Sequence, residues 1–185
     1  MSKSLLFLLT ILALSSISYA DYNSDLKVFN KAVNSYENRD YRVAFTSWKS
    51  LTDDESDLFY SFDFDTVSSE KNAKVPGIEA MAEYKLGILY ENGQGVLKSY
   101  PKAYEHYRRS ATWNYPQAQL AFAKLTIRLL KDDLVEGLTK EKKLNGYKEV
   151  ADFVSKLYEN ERATDRMRKE AEELWNQYEL HKYSF

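Results

Sequence analysis

The chain has 185 residues, 44% of them hydrophobic and 29% charged, with only 6 glycines and 3 prolines against 27 aromatic residues (15 Tyr, 9 Phe, 3 Trp). Those figures fit one helical domain or a short helical repeat array better than a turn-rich sheet protein. The absence of cysteine excludes a disulfide scaffold, a thiolate metal site and a cysteine nucleophile, and 26 basic against 28 acidic residues lacks the basic excess that phosphate binding calls for, so nucleic acid is not an expected partner.

Residues 1–20 read as an address. Lys3 gives a positive start, Leu5 to Leu14 form an apolar run broken only by Thr10, and Ser18-Tyr19-Ala20 has the small-x-small form of a cleavage site. The layout is that of a secretory signal peptide cut between Ala20 and Asp21. A membrane span needs about 20 apolar residues, roughly twice this run. No cysteine follows to take a lipid and no later stretch is apolar enough to span a bilayer, so the mature chain is expected to be exported and soluble, with neither lipid anchor nor transmembrane segment. Loss of Lys3 leaves 25 basic and 28 acidic residues, a net charge of −3.

The mature region, 21–185, opens with a predicted helix over about 24–36, where Leu26, Phe29, Val33 and Tyr36 recur at three and four. Asn38-Arg39-Asp40 makes the turn, and Asp40 is placed to cap the next helix. That helix carries Tyr41, Ala44 and Trp48 at i, i+3 and i+7, a pattern repeated 59 residues later by Tyr100, Ala103 and Tyr107. The first hairpin is thus assigned to 21–52. Between it and the next hairpin lies an insertion, 53–76, rich in acids (Asp53, Asp54, Glu55, Asp57, Asp63, Asp65, Glu70) and aromatics (Phe59, Tyr60, Phe62, Phe64). Long irregular insertions are usually functional or disordered. Two readings stay open for this one: a solvated loop, or an acidic aromatic arm whose Phe59, Tyr60, Phe62 and Phe64 contact a partner.

Residues 77–119 carry the clearest pattern: Ala82, Leu86, Gly87, Tyr90, Gly93, Gly95 and Val96, then Lys102, Ala103, Tyr107, Ala111 and Ala118. Gly87 within a helix lets another helix cross closely, and Gly93 and Gly95 suit a tight turn needing positive φ. The ordered set resembles the Sel1-like repeat, a relative of the tetratricopeptide repeat, and the 36 residues from Ala82 to Ala118 match its length. The resemblance covers roughly 36–125. The departures are Ser99 for the usual Asp, His106 for Trp, Ser110 for Ala and Asn114 for Gly; Ser99 still caps, and Asn114 still adopts a left-handed conformation.

From 120 to 185 the chain is assigned to C-terminal helices. Phe122, Leu125, Ile127, Leu129 and Leu130 surround a buried helix, and residues 132–138 look like a turn. A helix over about 144–158 places Tyr147, Val150, Ala151, Val154 and Leu157 on one side, and a last one over about 161–180 places Ala163, Met167, Ala171, Leu174 and Tyr178. With one apolar stripe and one charged face, the last helix suits the capping end of an array. The expected fold is all-α, a short α-solenoid of antiparallel hairpins with a C-terminal capping helix.

Chemistry-bearing motifs are not found. His106 falls at a packing position and His181 near the chain end, which makes no zinc pattern. Two EF-hand registers, from Asp53 and from Asp63, fail because Leu58 or Ser68 stands at the required glycine and Phe64 or Lys74 at the twelfth position. There is no nucleophile elbow, phosphate loop or dinucleotide fingerprint. Arg162, Arg166, Arg168 and Lys169 interleave with acids at helical spacing, as on a salt-bridged solvated face. No catalytic residue, metal or cofactor is assigned.

The leading expectation is a non-enzymatic adaptor that binds a protein or peptide partner in the periplasm or outside a bacterial cell. The resemblance implies the same, since Sel1-like proteins serve in envelope complexes, signalling and secretion, one exported relative in the sodium-driven flagellar motor. Two alternatives are polysaccharide or cell-wall binding through exposed tyrosines, which requires Tyr22, Phe59, Tyr60, Phe62, Tyr115 and Tyr183 to be exposed together, and a β-lactam-directed hydrolase, which the cysteine-paired members suggest and this cysteine-free chain does not.

Overall fold

The computed structural model describes residues 22–52, 77–132, 134, 135 and 137–184. The signal-peptide residues with their Ala20–Asp21 junction, and the insertion 53–76 with Phe59, Tyr60, Phe62 and Phe64, lie outside the described residues.

Helix α1 spans residues 22–37. Its stripe at three- and four-residue spacing buries Phe29 and Ala32 and sets Leu26, Val33 and Tyr36 against the same core. Arg39, in the left-handed region at φ 62°, reverses the chain. Helix α2, Tyr41–Lys49, then buries Ala44 and Trp48, and the indole lies 5.7 Å from the Tyr36 ring and 6.2 Å from Phe29. Asp40 occupies the N-cap position but makes no side-chain cap bond, contrary to expectation. Its φ −83° and ψ 64° depart from the extended geometry that swings a capping oxygen over the first turn.

Helix α3, Ile78–Asn92, has two buried faces, as a helix inside an array must. Ile78, Ala82, Leu86 and Leu89 close the core of α1 and α2, while Ala80, Glu83 and Gly87 turn toward α4, Tyr100–Thr112. Gly93 ends α3 at φ 69° and Gly95 continues the turn at φ 72°. A Cβ on Gly95 would sit 2.7 Å from the Tyr41 carbonyl carbon and 2.9 Å from the Arg42 nitrogen, so this turn seats directly on the α2 backbone. Ser99 caps α4 by accepting from the Lys102 N–H at 3.4 Å, with Pro101 in the first turn where its missing N–H costs nothing. Asn114, at φ 61°, ends that hairpin.

Helix α5, Pro116–Lys131, is buried nearly all round and packs against both α4 and α6. Helix α6 runs Lys140–Glu159, one turn earlier than its apolar stripe suggests, because Thr139 accepts from the Lys142 N–H and starts it. Helix α7 is Asp165–Gln177, shorter at both ends than the predicted 161–180. Thr164 caps it from the Met167 N–H, and Asn160 is drawn out of helix to bond Asn114 and Gln119. At the other end Glu179 takes a left-handed turn and Leu180 folds back, fully buried, in a short 3-10 turn, Leu180–Lys182.

Every regular element among the described residues is helical, and successive helices pack as antiparallel hairpins in a Sel1-like and TPR-like solenoid. Side-chain bonds tie alternate helices together: α1 to α3, α3 to α5 and α5 to α7 in one row, and α4 to α6 in the other. No helix of the described residues is long and apolar enough to cross a membrane.

Candidate functional site

Three buried or half-buried carboxylates hold the array, and each sits between an aromatic or imidazole ring and an arginine. Glu83 on α3 meets His106 Nδ1 at 2.5 Å and Arg109 at 3.5 Å, both on α4. Glu91, near the end of α3, accepts from the Tyr107 hydroxyl at 2.7 Å and from Arg128 of α5 at 2.8 Å. Glu149 on α6 accepts from the Tyr104 hydroxyl at 2.8 Å and from Arg108 Nε at 2.6 Å. Burial pushes the Tyr104 and Tyr107 hydroxyls far above the ordinary tyrosine range, and the carboxylates beside them push in the same direction, so both remain donors. Two acceptor oxygens saturated by fixed donors make these carboxylates structural joints. His106, placed where the resemblance has a packing Trp, is buried and lies flat on the Tyr90 ring, 5.2 Å between centroids and 8° between planes. A second polar joint links the turn after α4 to the turn after α6: Asn160 Nδ2 donates to Asn114 O, Asn114 Oδ1 and Gln119 Oε1, and Arg168 Nη2 donates to Asn160 O.

The residues singled out in the sequence meet around α3 and α4. Ala82, Leu86, Ala103, Tyr107, Ala111 and Ala118 are buried. Gly87 faces the Tyr107 ring, Gly93 and Gly95 make the turn, Val96 joins the α1–α3 core, and Lys102 places its ammonium 5.3 Å from the Tyr90 ring centroid. Their role here is packing. Of the tyrosines that a glycan platform would need, Tyr22 is exposed, Tyr115 packs edge-on against Tyr84 and Tyr183 stacks on Tyr147. The last two therefore belong to separate ring pairs. Among the described residues no group of three or more His, Asp or Glu is arranged to hold a metal ion.

Two surfaces remain for binding. The first is the row of odd-numbered helices, crossed by charged pairings: Lys85 lies 5.7 Å from the Tyr36 ring centroid, Arg128 bonds Glu91, and Lys124 bonds Glu170 at 2.5 Å. Hydrogen bonds from Lys124 and then Arg166 hold the Glu170 carboxyl below its usual range. Half-buried Tyr84, Lys85 and Ile88 of α3 and Gln117 and Ala121 of α5 sit among these ties. Burial lowers the Lys85 ammonium and raises the Tyr84 hydroxyl, which marks the row as partly shielded from water. The second surface is a groove of about 310 Å³ between α6 and α7, floored by Val154 and Ala171 and walled by Tyr158 and Trp175, with Glu159 and Glu172 at its edges.

Sequence reasoning missed the joints and the groove. The one legible signal was the face Ala80, Glu83, Gly87, where an acid shares a helix side with two small residues; an acid there is enclosed by whatever crosses at the glycine. Residues 80–112, the span from the start of that face to the end of α4, match the family model of the Sel1 repeat. Neither the curated proteins nor the solved structures contain a match to the chain.

Proposed function

We propose, from the premise that this chain carries a Sel1 repeat within a helical solenoid, that it is an exported, non-enzymatic adaptor holding a protein or peptide partner in a bacterial envelope complex, such as a secretion assembly or the flagellar motor. Sel1 repeats are in general protein-interaction modules. The observation that carries the reading is the cross-linked row of odd-numbered helices: Lys85 to Tyr36, Arg128 to Glu91 and Lys124 to Glu170 fix neighbouring helices before any partner arrives. A surface ordered in advance loses little conformational entropy on binding. Glu83, Glu91 and Glu149, which would otherwise be candidates for acid-base chemistry, are each occupied by an arginine and a ring-bearing side chain. Export rests on the charged start, apolar run and Ala20–Asp21 junction of the N-terminal segment.

Affinity capture from envelope extract with tagged residues 21–185 tests this reading, run beside a form lacking 53–76 and a form with Lys85→Glu and Lys124→Glu on the odd row. Stoichiometric recovery of one protein by the intact form, lost in the row variant, supports it. Loss only in the form lacking 53–76 moves the contact to Phe59, Tyr60, Phe62 and Phe64. Recovery of nothing by any form overturns the adaptor reading.

A further inference from the structure

Helices α1 and α2, α3 and α4, and α5 and α6 pair, while α7 packs back on α6 and α5, and the 3-10 turn Leu180–Lys182 sits against α6 and α7. In the α3–α4 hairpin the second helix covers the small-residue face of the first through Tyr107 on Gly87 and Ser110 on the Ala80 carbonyl. The corresponding flank of α7, facing away from the Lys124–Glu170 tie to α5, is the groove bounded by Val154 and Tyr158 of α6 and Ala171 and Trp175 of α7. Elsewhere the outer face of α7 is exposed and polar, with Arg166, Lys169, Glu173 and Gln177. Only the edge along α6 is apolar, and there Tyr158 stands 57% exposed although its ring lines the groove.

We propose that this groove docks one amphipathic helix of a partner protein, apolar toward Val154, Tyr158, Ala171 and Trp175 and flanked by lysine or arginine. Two observations fix the chemistry of the occupant. The walls supply two aromatic anchors around a small-residue floor, the arrangement in which a helix laid into a groove gains most from a few buried side chains. The edges supply Glu159 and Glu172, neither of which makes an ion pair with another described residue, whereas the neighbouring acids Asp152 and Asp165 are paired to Lys156 and Arg168. A basic helix is thus attracted and an acidic one repelled, which sets the choice between partners of equal hydrophobicity.

The proposal deepens the adaptor reading and rests on it, but it is tested apart from it. The probe is a labelled synthetic peptide of about 14 residues, long enough to be helical once docked, with leucine on one face and lysine on the other, set against an otherwise identical peptide with glutamate for lysine. Residues 21–185 are titrated into each. The expected result is saturable one-to-one binding of the lysine peptide and at least tenfold weaker binding of the glutamate peptide. Glu159→Lys with Glu172→Lys should cost at least tenfold, and Ser155→Trp, which fills the groove from an exposed position, should abolish binding with circular dichroism unchanged. Glu37→Lys with Glu79→Lys, distant exposed acids, should bind as the parent does. No saturable binding, equal binding of both peptides, or groove variants that bind like the parent would each overturn the proposal. An envelope partner captured through the odd row while the groove variants stay silent would leave the adaptor reading standing and remove this one.

Discussion

A Cβ placed on Gly87 would lie 2.5 Å from both Cδ1 and Cε1 of Tyr107. That ring has little room to withdraw, because it is 2% exposed and its hydroxyl is bonded to Glu91. Removing a helix-interior glycine ordinarily gains about 1 kcal/mol of helix propensity. Overpacking costs about 1–3 kcal/mol, so the sign is decided by the ring. Gly87→Ala should lower stability in urea unfolding and Gly87→Leu should lower it further. Tyr107→Leu should recover part of the loss in the Gly87→Ala background, the non-additivity expected of two groups in contact.

Gly95 and Gly137 separate backbone strain from crowding. Both have positive φ, 72° and 74°, but a Cβ at 95 meets the Tyr41 and Arg42 backbone within 3 Å and one at 137 meets nothing within 4 Å. Gly137→Ala should cost about 1–2 kcal/mol, the left-handed penalty alone. Gly95→Ala should cost more, because backbone on both sides cannot rotate away. Thermal unfolding of the pair measures the difference; equal losses would mean that the turn after α3 does not bear on α2.

Glu83 and His106, 3% and 2% exposed at their side chains, form a buried pair that is costly to break and cheap to replace whole. Glu83→Ala should cost about 1–3 kcal/mol, since it removes one hydrogen-bond partner of a buried imidazole. His106→Trp should also destabilise, by leaving Glu83 with the 3.5 Å contact to Arg109 as its remaining described ion pair. Adding Glu83→Met to His106→Trp should restore most of the loss. A double variant no better than its parents would show that the pair does not act as a unit.

Glu105 lies on α4 and is raised above its ordinary value of 4.5, first by burial, against the lowering pull of Arg108 and Arg109. A carboxyl raised in the folded state binds its proton more tightly there than in the unfolded chain. Stability from this group is therefore fully present below 4.5 and declines as pH rises through the raised value. Glu105→Gln, which keeps the shape and removes the charge, should raise the melting temperature at pH 7 and lose that advantage below pH 4.5. An advantage that persists unchanged in acid would trace to packing instead.

The helices were legible because apolar residues at three- and four-residue spacing have one physical reading, and α1 to α4 follow it closely. Ends were legible where a residue acts alone, as Ser99 and Asn114 do, and failed where a distant partner decides. Asn160 leaves the helix because Asn114 and Gln119, more than 40 residues away in sequence, receive its amide. Arg168, read as part of a solvated charged face, does pair with Asp165, but it also caps α6 by donating to Tyr158 O and Asn160 O. The buried acids are the same case. Glu91 and Glu149 look solvent-facing in sequence, and only the arrival of Arg128 on α5 and of Tyr104 and Arg108 on α4 half-buries the first and buries the second. The α6–α7 groove was illegible because its lining comes from two helices whose mutual placement no spacing within either one shows.

The seat of Gly95 on Tyr41 and Arg42 has a consequence for how the array tolerates change. Together with the bond from the Tyr36 hydroxyl of α1 to Gln94 and the packing of Val96 on Trp48's core, it fastens α1 and α2 to the far end of α3 without using the covalent connection between α2 and α3. Closing a flexible connection costs entropy that grows only with the logarithm of its length, about 0.6 kcal/mol for each doubling. The register of the first two hairpins is set by these contacts among the described residues. A tag inserted at the 53–76 junction should therefore leave the helical circular dichroism and the melting temperature of the stack unchanged.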